Sequence, residues 1–374
     1  MAANCHDQDK RPSKILMTAD AVGGVWRYSL DLAAGLAHEN VQVLLAVLGP
    51  APSPEQRLEA SRFPNVTLTH CDCALEWMSD PWEGVDRSGE WLLDVQKSFE
   101  ADLIHLNGYS HASLPWSKPV LVVAHSCVYS WWRAVYECAP GSEWLEYRRR
   151  VIAGLQAASQ IASPSHTMAD FLVNEYQISR AKVQVIHNFS FAADLRPREK
   201  HPFILAAGRL WDRAKNLALL DRIAPDLDWE VRVAGSASGP EKSVTAKCVR
   251  TLGLLEHDEL LREMSAAGVF AHPALYEPFG LSVLEAAQAG CALVLSDIPS
   301  LRELWDGAAV FVNPRDERAW IAELNALSAS PERRGTPAKA ASSRALRYAA
   351  EDSLPSYLSL CGKMLNRKLK EAAA

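Results

Sequence analysis

Residues 272–304 read HPALYEPFGLSVLEAAQAGCALVLSDIPSLREL. An apolar strand ends at Pro273, and a loop carries the chain to Gly280. From Leu281 to Ala289 the apolar residues recur at helical spacing. Gly290 can stop that helix, and the strand CALVLS follows at once. A strand, a helix and a second strand in about 30 residues make a βαβ unit, which predicts parallel strands. The first-turn N–H groups near Gly280, Leu281 and Ser282 lack partners inside the helix. With the helix dipole they form an anion site, and Gly280 lets a phosphate approach the backbone. Glu277 precedes this helix end and Glu285 lies on the helix. Two carboxylates flanking a phosphate site suit a ligand with hydroxyls on either side of its phosphates, the layout of a nucleotide sugar.

The same alternation extends both ways. Before it, strands are predicted at 14–18, 41–47, 66–70, 102–106, 119–124, 159–163 and 182–186, with a helical pattern over Val25–Ala37. The charged stretch RPREKHP (196–202) interrupts. Strands then return at 203–208, 229–235, 267–273, 291–296 and 308–314. The pattern predicts an α/β chain of two doubly wound, Rossmann-like domains, 1–195 and 196–350, with a hinge near 195–201. The Ala- and Arg-rich tail after Pro331 reads as helix. Its last part, 351–374, is expected to pack back on the first domain. A ligand is expected in the cleft between the halves.

Composition narrows the field. The chain has 374 residues, 48% of them apolar, and a net charge of −6. A mildly acidic chain argues against general nucleic-acid or anionic-membrane binding. No apolar run approaches a membrane span, and the start MAANCHDQDKRPSK lacks a signal-peptide core. A cytoplasmic location is therefore expected. Eight scattered cysteines contain no CxxC, so they read as reduced thiols. The nineteen glycines include no G-x-G, which removes the dinucleotide fingerprint and the kinase glycine loop, and there is no P-loop. G-x-S-x-G and HExxH are absent as well. The two D-x-D triplets, Asp7/Asp9 and Asp226/Asp228, read as solvated acids rather than metal ligands. Eight of the twelve tryptophans precede residue 150, so the halves are expected to do different jobs.

The segment from Glu277 through Gly280 to Glu285 resembles the E-x7-E signature of retaining glycosyltransferases of family 4, which have the GT-B fold. Other stretches agree in order, and the resemblance covers about residues 14–330. AGRLWDRAKN (207–216) resembles the diphosphate-binding stretch, which implies Arg209 and Lys215 on the phosphates. TADAVGGVWRYSLDLAAGL (18–36) resembles the N-terminal glycine loop, with Gly23 and Gly24 near donor phosphates and acceptor. His125 of VVAHS matches a histidine that contacts the donor sugar. VRTLGLLEHDEL (249–260) resembles the loop under the nucleobase, with Leu254 and Leu255 as base contacts. Phe279, Gly280, Leu281, Ser282 and Glu285 complete the implied donor site.

The resemblance implies transfer of a hexose from a UDP-, GDP- or ADP-sugar to a hydroxyl of a carbohydrate, lipid-linked or small-molecule acceptor. The anomeric configuration would be retained by a front-face route, with neither metal nor cofactor required. Arg209 and Lys215 would neutralise the leaving diphosphate, Glu277 would orient sugar hydroxyls and Glu285 would hold the ribose. A reversible phosphorylase or synthase, or a silent nucleotide-sugar binder, are the alternatives on this fold. Two departures stand out. The glycine pair common after the 291–296 strand is replaced by Pro299-Ser300-Leu301, although Glu303 remains, and His187-Asn188-Phe189 stands where proline and glycine are frequent.

On the acceptor side, Tyr129, Trp131 and Trp132 could stack on a ring or simply pack the core. Arg148, Arg149 and Arg150 could face an anion or solvate a helix. His125 could be a core histidine, and His105 ends another apolar strand with a structural role the simpler reading. Peripheral membrane contact stays open.

Overall fold

The computed structural model describes residues 11–191, 199–239 and 243–373. The hinge over 195–201 falls largely on 192–198, outside the described residues, as does the Asp7/Asp9 triplet.

The first half runs β1 (Lys14–Asp20), α1 (Gly24–Ala37), β2 (Gln42–Leu48), α2 (Pro54–Ser61), β3 (Val66–Cys71), α3 (Trp82–Phe99), β4 (Leu103–Leu106), β5 (Val120–Val123), α4 (Val128–Tyr136), α5 (Leu145–Ala157), β6 (Gln160–Ser163), α6 (His166–Tyr176) and β7 (Val183–Val185). Its seven strands pair in the order β3-β2-β1-β4-β5-β6-β7, all parallel. The order reverses beside β1, so the loops after β1 and β4 open a crevice at the carboxyl edge.

The second half runs β8 (His201–Ala207), α7 (Leu217–Ile223), β9 (Glu230–Ala234), β10 (Arg250–Gly253), α8 (His257–Ala266), β11 (Ala267–His272), α9 (Leu281–Gln288), β12 (Ala292–Ser296), α10 (Pro299–Trp305), β13 (Val310–Val312), α11 (Glu317–Ala329), α12 (Pro331–Ala345) and α13 (Ala350–Ala373). Six parallel strands pair as β10-β9-β8-β11-β12-β13. Two parallel sheets with helices between their strands, facing each other across a cleft, are the GT-B architecture.

The central strands are continuous apolar runs because helices cover both faces. Val43 to Val47 and Ala292 to Leu295 are buried. Strand β10 is the exception. Arg250, Thr251 and Gly253 are exposed, so its sequence carries no strand signal and pairing with β9 alone makes it one. Helix α13 returns to the first half. Tyr357, Leu358, Leu360, Cys361 and Met364 share a core with Leu30, Leu32 and Leu36 of α1. The halves are tied directly by Glu303 of α10. Its Oε1 accepts the His166 N–H at 2.7 Å, and its Oε2 accepts the N–H and hydroxyl of Thr167, each at 2.7 Å. These are first-turn groups of α6, unpaired inside their own helix, and a carboxylate there also suits the helix dipole.

Candidate active site

The parallel order brings the β1–α1 loop of one half to face the β8–α7 and β11–α9 loops of the other. Gly23 caps α1, and a side chain there would collide with Arg209 Nη1, so only glycine admits the guanidinium this close. Arg209 is held from its own segment: Nη2 donates to Asp212 Oδ2 at 2.7 Å, and the guanidinium lies 5.2 Å from the centre of the Trp211 ring. Its buried Nε has no acceptor among the described residues. Asp20 at the end of β1 is an acid on the glycine-loop side that interacts with Arg209. Burial raises its carboxyl, against the pull of the Val22 N–H and of Arg209.

Lys215 and Glu277 meet. Lys215 Nζ donates to Glu277 Oε2 at 2.6 Å, and His272 Nε2 donates to the same oxygen at 3.1 Å. Burial alone would raise the Glu277 carboxyl, but the ammonium and the imidazole N–H outweigh it and hold it well below the usual carboxylate range. Glu277 is therefore held as an anion and is not a base that titrates near neutrality. His272 itself is kept towards its neutral form by burial, despite its carboxylate partner.

Gly280 caps α9 with φ +88°, a left-handed conformation that glycine adopts without strain. Leu281 and Ser282 open the helix. Phe279 does not offer its ring to a ligand: it is 4% exposed and packs edge-on against Tyr348 at 5.5 Å, so only its backbone is available to a donor. Ser300 stands where a glycine was expected. Its hydroxyl donates to the Glu277 carbonyl at 2.5 Å, so the Pro299–Ser300 turn braces the Glu277 loop.

Glu285 is buried on α9. Its Oε1 accepts His257 Nε2 at 2.9 Å, and His257 Nδ1 lies 3.2 Å from Arg27 Nη1 of the other half. Arg27 is itself clamped by Asp31 and Glu59. Leu255 packs partly into the second-half core, whereas Leu254 stands 79% exposed.

His125 ends β5. Asn107 Nδ2 donates to the Thr18 carbonyl at 2.6 Å, which fixes the amide, because a carbonyl only accepts. Asn107 Oδ1 then faces His125 Nε2 at 2.9 Å and His105 Nε2 at 3.1 Å. Both histidines must carry their proton on Nε2, and His105 Nδ1 accepts from the Tyr357 hydroxyl at 2.8 Å. Burial pushes His125 down to about 3 and His105 to about 4, so both are neutral at pH 7. His105 is fully buried, with both ring nitrogens partnered inside the protein. His125 is left with Nδ1 as an acceptor.

Three acceptor-side expectations separate here. Tyr129 is 4% exposed and packs against Tyr147 and Tyr176, so it is a core residue and not a platform. Trp131 and Trp132 are half-buried at the cleft, where Trp131 Nε1 donates to Asp212 Oδ1 at 3.2 Å. The three arginines face acids: Arg148 pairs with Glu175, Arg149 with Glu146, and Arg150 with Glu146 and Asp86.

Sequence reasoning missed Asp212, His272, His257, Arg27 and Asn107. Asp212 and His272 had a signal, lying three residues after Arg209 and five before Glu277. Arg27 and His257 are 230 residues apart, and nothing local joins them.

This constellation is not an isolated likeness. The model of Glycosyltransferase Family 4 matches residues 22–189, and that of Glycosyl transferases group 1 matches residues 201–330. The chain belongs to the group 1 glycosyltransferases of family 4. Among curated relatives, the O-antigen chain mannosyltransferase RfbU of Salmonella typhimurium is 23% identical over 188 residues. The match covers 48% of this chain and 53% of that protein, so the chain spans about half of that relative's length. The glycogen synthase of Mycobacterium tuberculosis is 29% identical over 368 residues, with 86% of each covered. Anabaena HepE, solved in complex with UDP-glucose, superposes with TM-score 0.69 at 15% identity, over 96% of this chain and 99% of that one. Likeness at that identity speaks for the fold alone. Among the described residues no helix is long and apolar enough to cross a membrane, and no three His, Cys, Asp or Glu side chains are grouped to hold a metal.

Proposed function

We propose that this glycosyltransferase moves a hexose from a nucleoside-diphosphate sugar to an acceptor hydroxyl, with retention and without a metal. One observation carries the reading. Arg209 of one half lies against Gly23 of the other, with one buried N–H unanswered among the described residues; the Asp212 carboxylate that holds it also interacts with Lys215, whose partner Glu277 leads into the amide end of α9. Backbone amides and two cations converging on a cleft suit a diphosphate whose charge grows as the glycosidic bond breaks. Relatives named as mannosyltransferases and a glycogen synthase, and a fold neighbour that binds UDP-glucose, support a nucleotide-sugar donor.

In this reading the acceptor hydroxyl enters on the face from which the diphosphate leaves. The leaving phosphate oxygen takes its proton as the new C–O bond forms. Glu277, held anionic, orients sugar hydroxyls and steadies developing positive charge. His125 accepts a sugar hydroxyl at Nδ1, and Glu285 receives the ribose. Closure of the halves excludes water, which protects the donor from hydrolysis. Trp131 and Trp132 border the acceptor side, and the pairing of the nearby arginines favours an uncharged acceptor.

A thermal-shift panel of UDP, GDP, ADP and their sugars tests this reading, because a ligand that binds the native state raises Tm by linkage. The expected result is one base series that stabilises the wild type and loses its effect in Arg209→Ala. No stabilisation by any member would overturn the reading.

A further inference from the structure

Among the described residues the Asp212 carboxylate has three donors. Oδ2 accepts Arg209 Nη2 at 2.7 Å, and Oδ1 accepts the Ala214 N–H at 3.0 Å. Both come from its own segment. The third, Trp131 Nε1 at 3.2 Å, comes from α4 in the other half. An indole N–H is a donor only, and Asp212 is 6% exposed, so this bond sits in a largely dry place where directional contacts count. We infer that Trp131 is a positioning residue: its indole N–H, donated across the cleft, locks the Asp212 carboxylate that aims Arg209 at the donor diphosphate. The inference rests on the reading of Arg209 as a diphosphate ligand.

The geometry gives this a direction. Two of the three bonds persist when the halves separate, but the Trp131 bond exists only when they are together. Arg209 is thus held fully only in the closed form, with Nη2 on Asp212, Nη1 against Gly23 and Nε awaiting an acceptor. A diphosphate oxygen supplies that acceptor. The Trp131 ring packs against Trp132 at 6.2 Å and Tyr136 at 5.7 Å between centroids, so its neighbours on α4 occupy part of its surface. Its N–H, rather than an open ring face, is what Trp131 presents to the other half.

The test uses full-length protein and inorganic pyrophosphate as the probe, with binding followed by calorimetry. Trp131→Phe keeps the ring and removes the donor. It is expected to weaken pyrophosphate binding about fivefold, in the range of one typical hydrogen bond. In an Arg209→Ala background the same substitution is expected to change nothing. Asp212→Asn breaks the lock from the other side and is expected to give a similar loss, which keeps the test open if Trp131→Phe folds poorly. Wild-type affinity in Trp131→Phe would overturn the inference and leave the residue a stacking surface. An equal loss with and without Arg209 would reduce its role to packing and also overturn it. If Arg209→Ala binds pyrophosphate as the wild type does, the diphosphate reading of the site fails instead. A wild type that does not bind pyrophosphate overturns both.

Discussion

Lys215 Nζ lies 2.6 Å from Glu277 Oε2, joining two residues 62 positions apart. The pair couples a cation assigned to the diphosphate with a carboxylate assigned to the sugar. Lys215→Ala is expected to lower kcat by about 10²–10³, with a smaller change in donor KM, because the diphosphate gains charge only as the bond breaks. Steady-state kinetics check it. A pure KM effect would place Lys215 in ground-state binding.

The same pair sets an acid limit on stability. Glu277 is depressed when folded, so its contribution is present above the unfolded value of about 4.3 and is lost as pH falls towards the folded value. In Lys215→Ala that acid-side loss is expected to shrink. At neutral pH the variant should be less stable by up to about 3–5 kcal/mol, the cost of a buried carboxylate stripped of its partner. Denaturant titrations at pH 3.5 and pH 7 measure both.

Glu285→Ala is expected to weaken binding of the bare nucleoside diphosphate about tenfold, as loss of a charge-assisted contact would. Glu277→Ala should leave that affinity unchanged or tighter, because it releases Lys215 for the phosphates while removing a group assigned to the sugar. Calorimetry on the two variants decides, and equal losses would contradict the assignment.

Turnover is expected to survive EDTA, because Arg209, Lys215 and the α9 amides supply the charge a metal would otherwise bring. Loss of activity restored by Mg²⁺ or Mn²⁺ would reverse this.

His105 and His125 are neutral in the fold, with values pushed down to about 4 and 3 by burial. The unfolded chain therefore binds more protons between about pH 4 and 6.5, and stability should fall on acidification through that window. The slope is about 1.4 kcal/mol per pH unit for each histidine. Denaturation midpoints at pH 5 and 7 measure it, and His105→Gln should flatten the dependence.

Glu303→Ala is expected to loosen the two halves, since its carboxylate is the cross-cleft cap of α6. The expected cost is about 1 kcal/mol, as for other N-caps. Small-angle scattering should show a larger radius of gyration without nucleotide, and Glu303→Gln should recover part of the change.

The fold was legible because its signals are local. Continuous apolar strands alternating with helical spacing specify a parallel sheet covered on both faces, and the E-x7-E segment announces itself within nine residues. Glycine at 280 is readable for the same reason, as the residue that opens the helix and lets a phosphate approach, whereas its left-handed φ is decided by the folded loop. Strand β10 was not legible, because exposed Arg250, Thr251 and Gly253 become a strand only by pairing with β9. Tyr129 and Phe279 show the opposite failure: aromatic residues beside a site look the same in sequence whether they face ligand or core, and only packing put both inside.

By itself, then, the sequence determined two doubly wound halves, the helix start at Gly280 and the charges placed around it. Tertiary structure alone decided which charges act together. Lys215 with Glu277, Trp131 with Asp212, Arg27 with His257 and Glu303 with α6 are contacts between distant segments or opposite halves. Such partners leave no periodicity along the chain. They are selected by distance and by the cost of leaving a buried polar group unpaired, and both are set only when the two sheets come face to face.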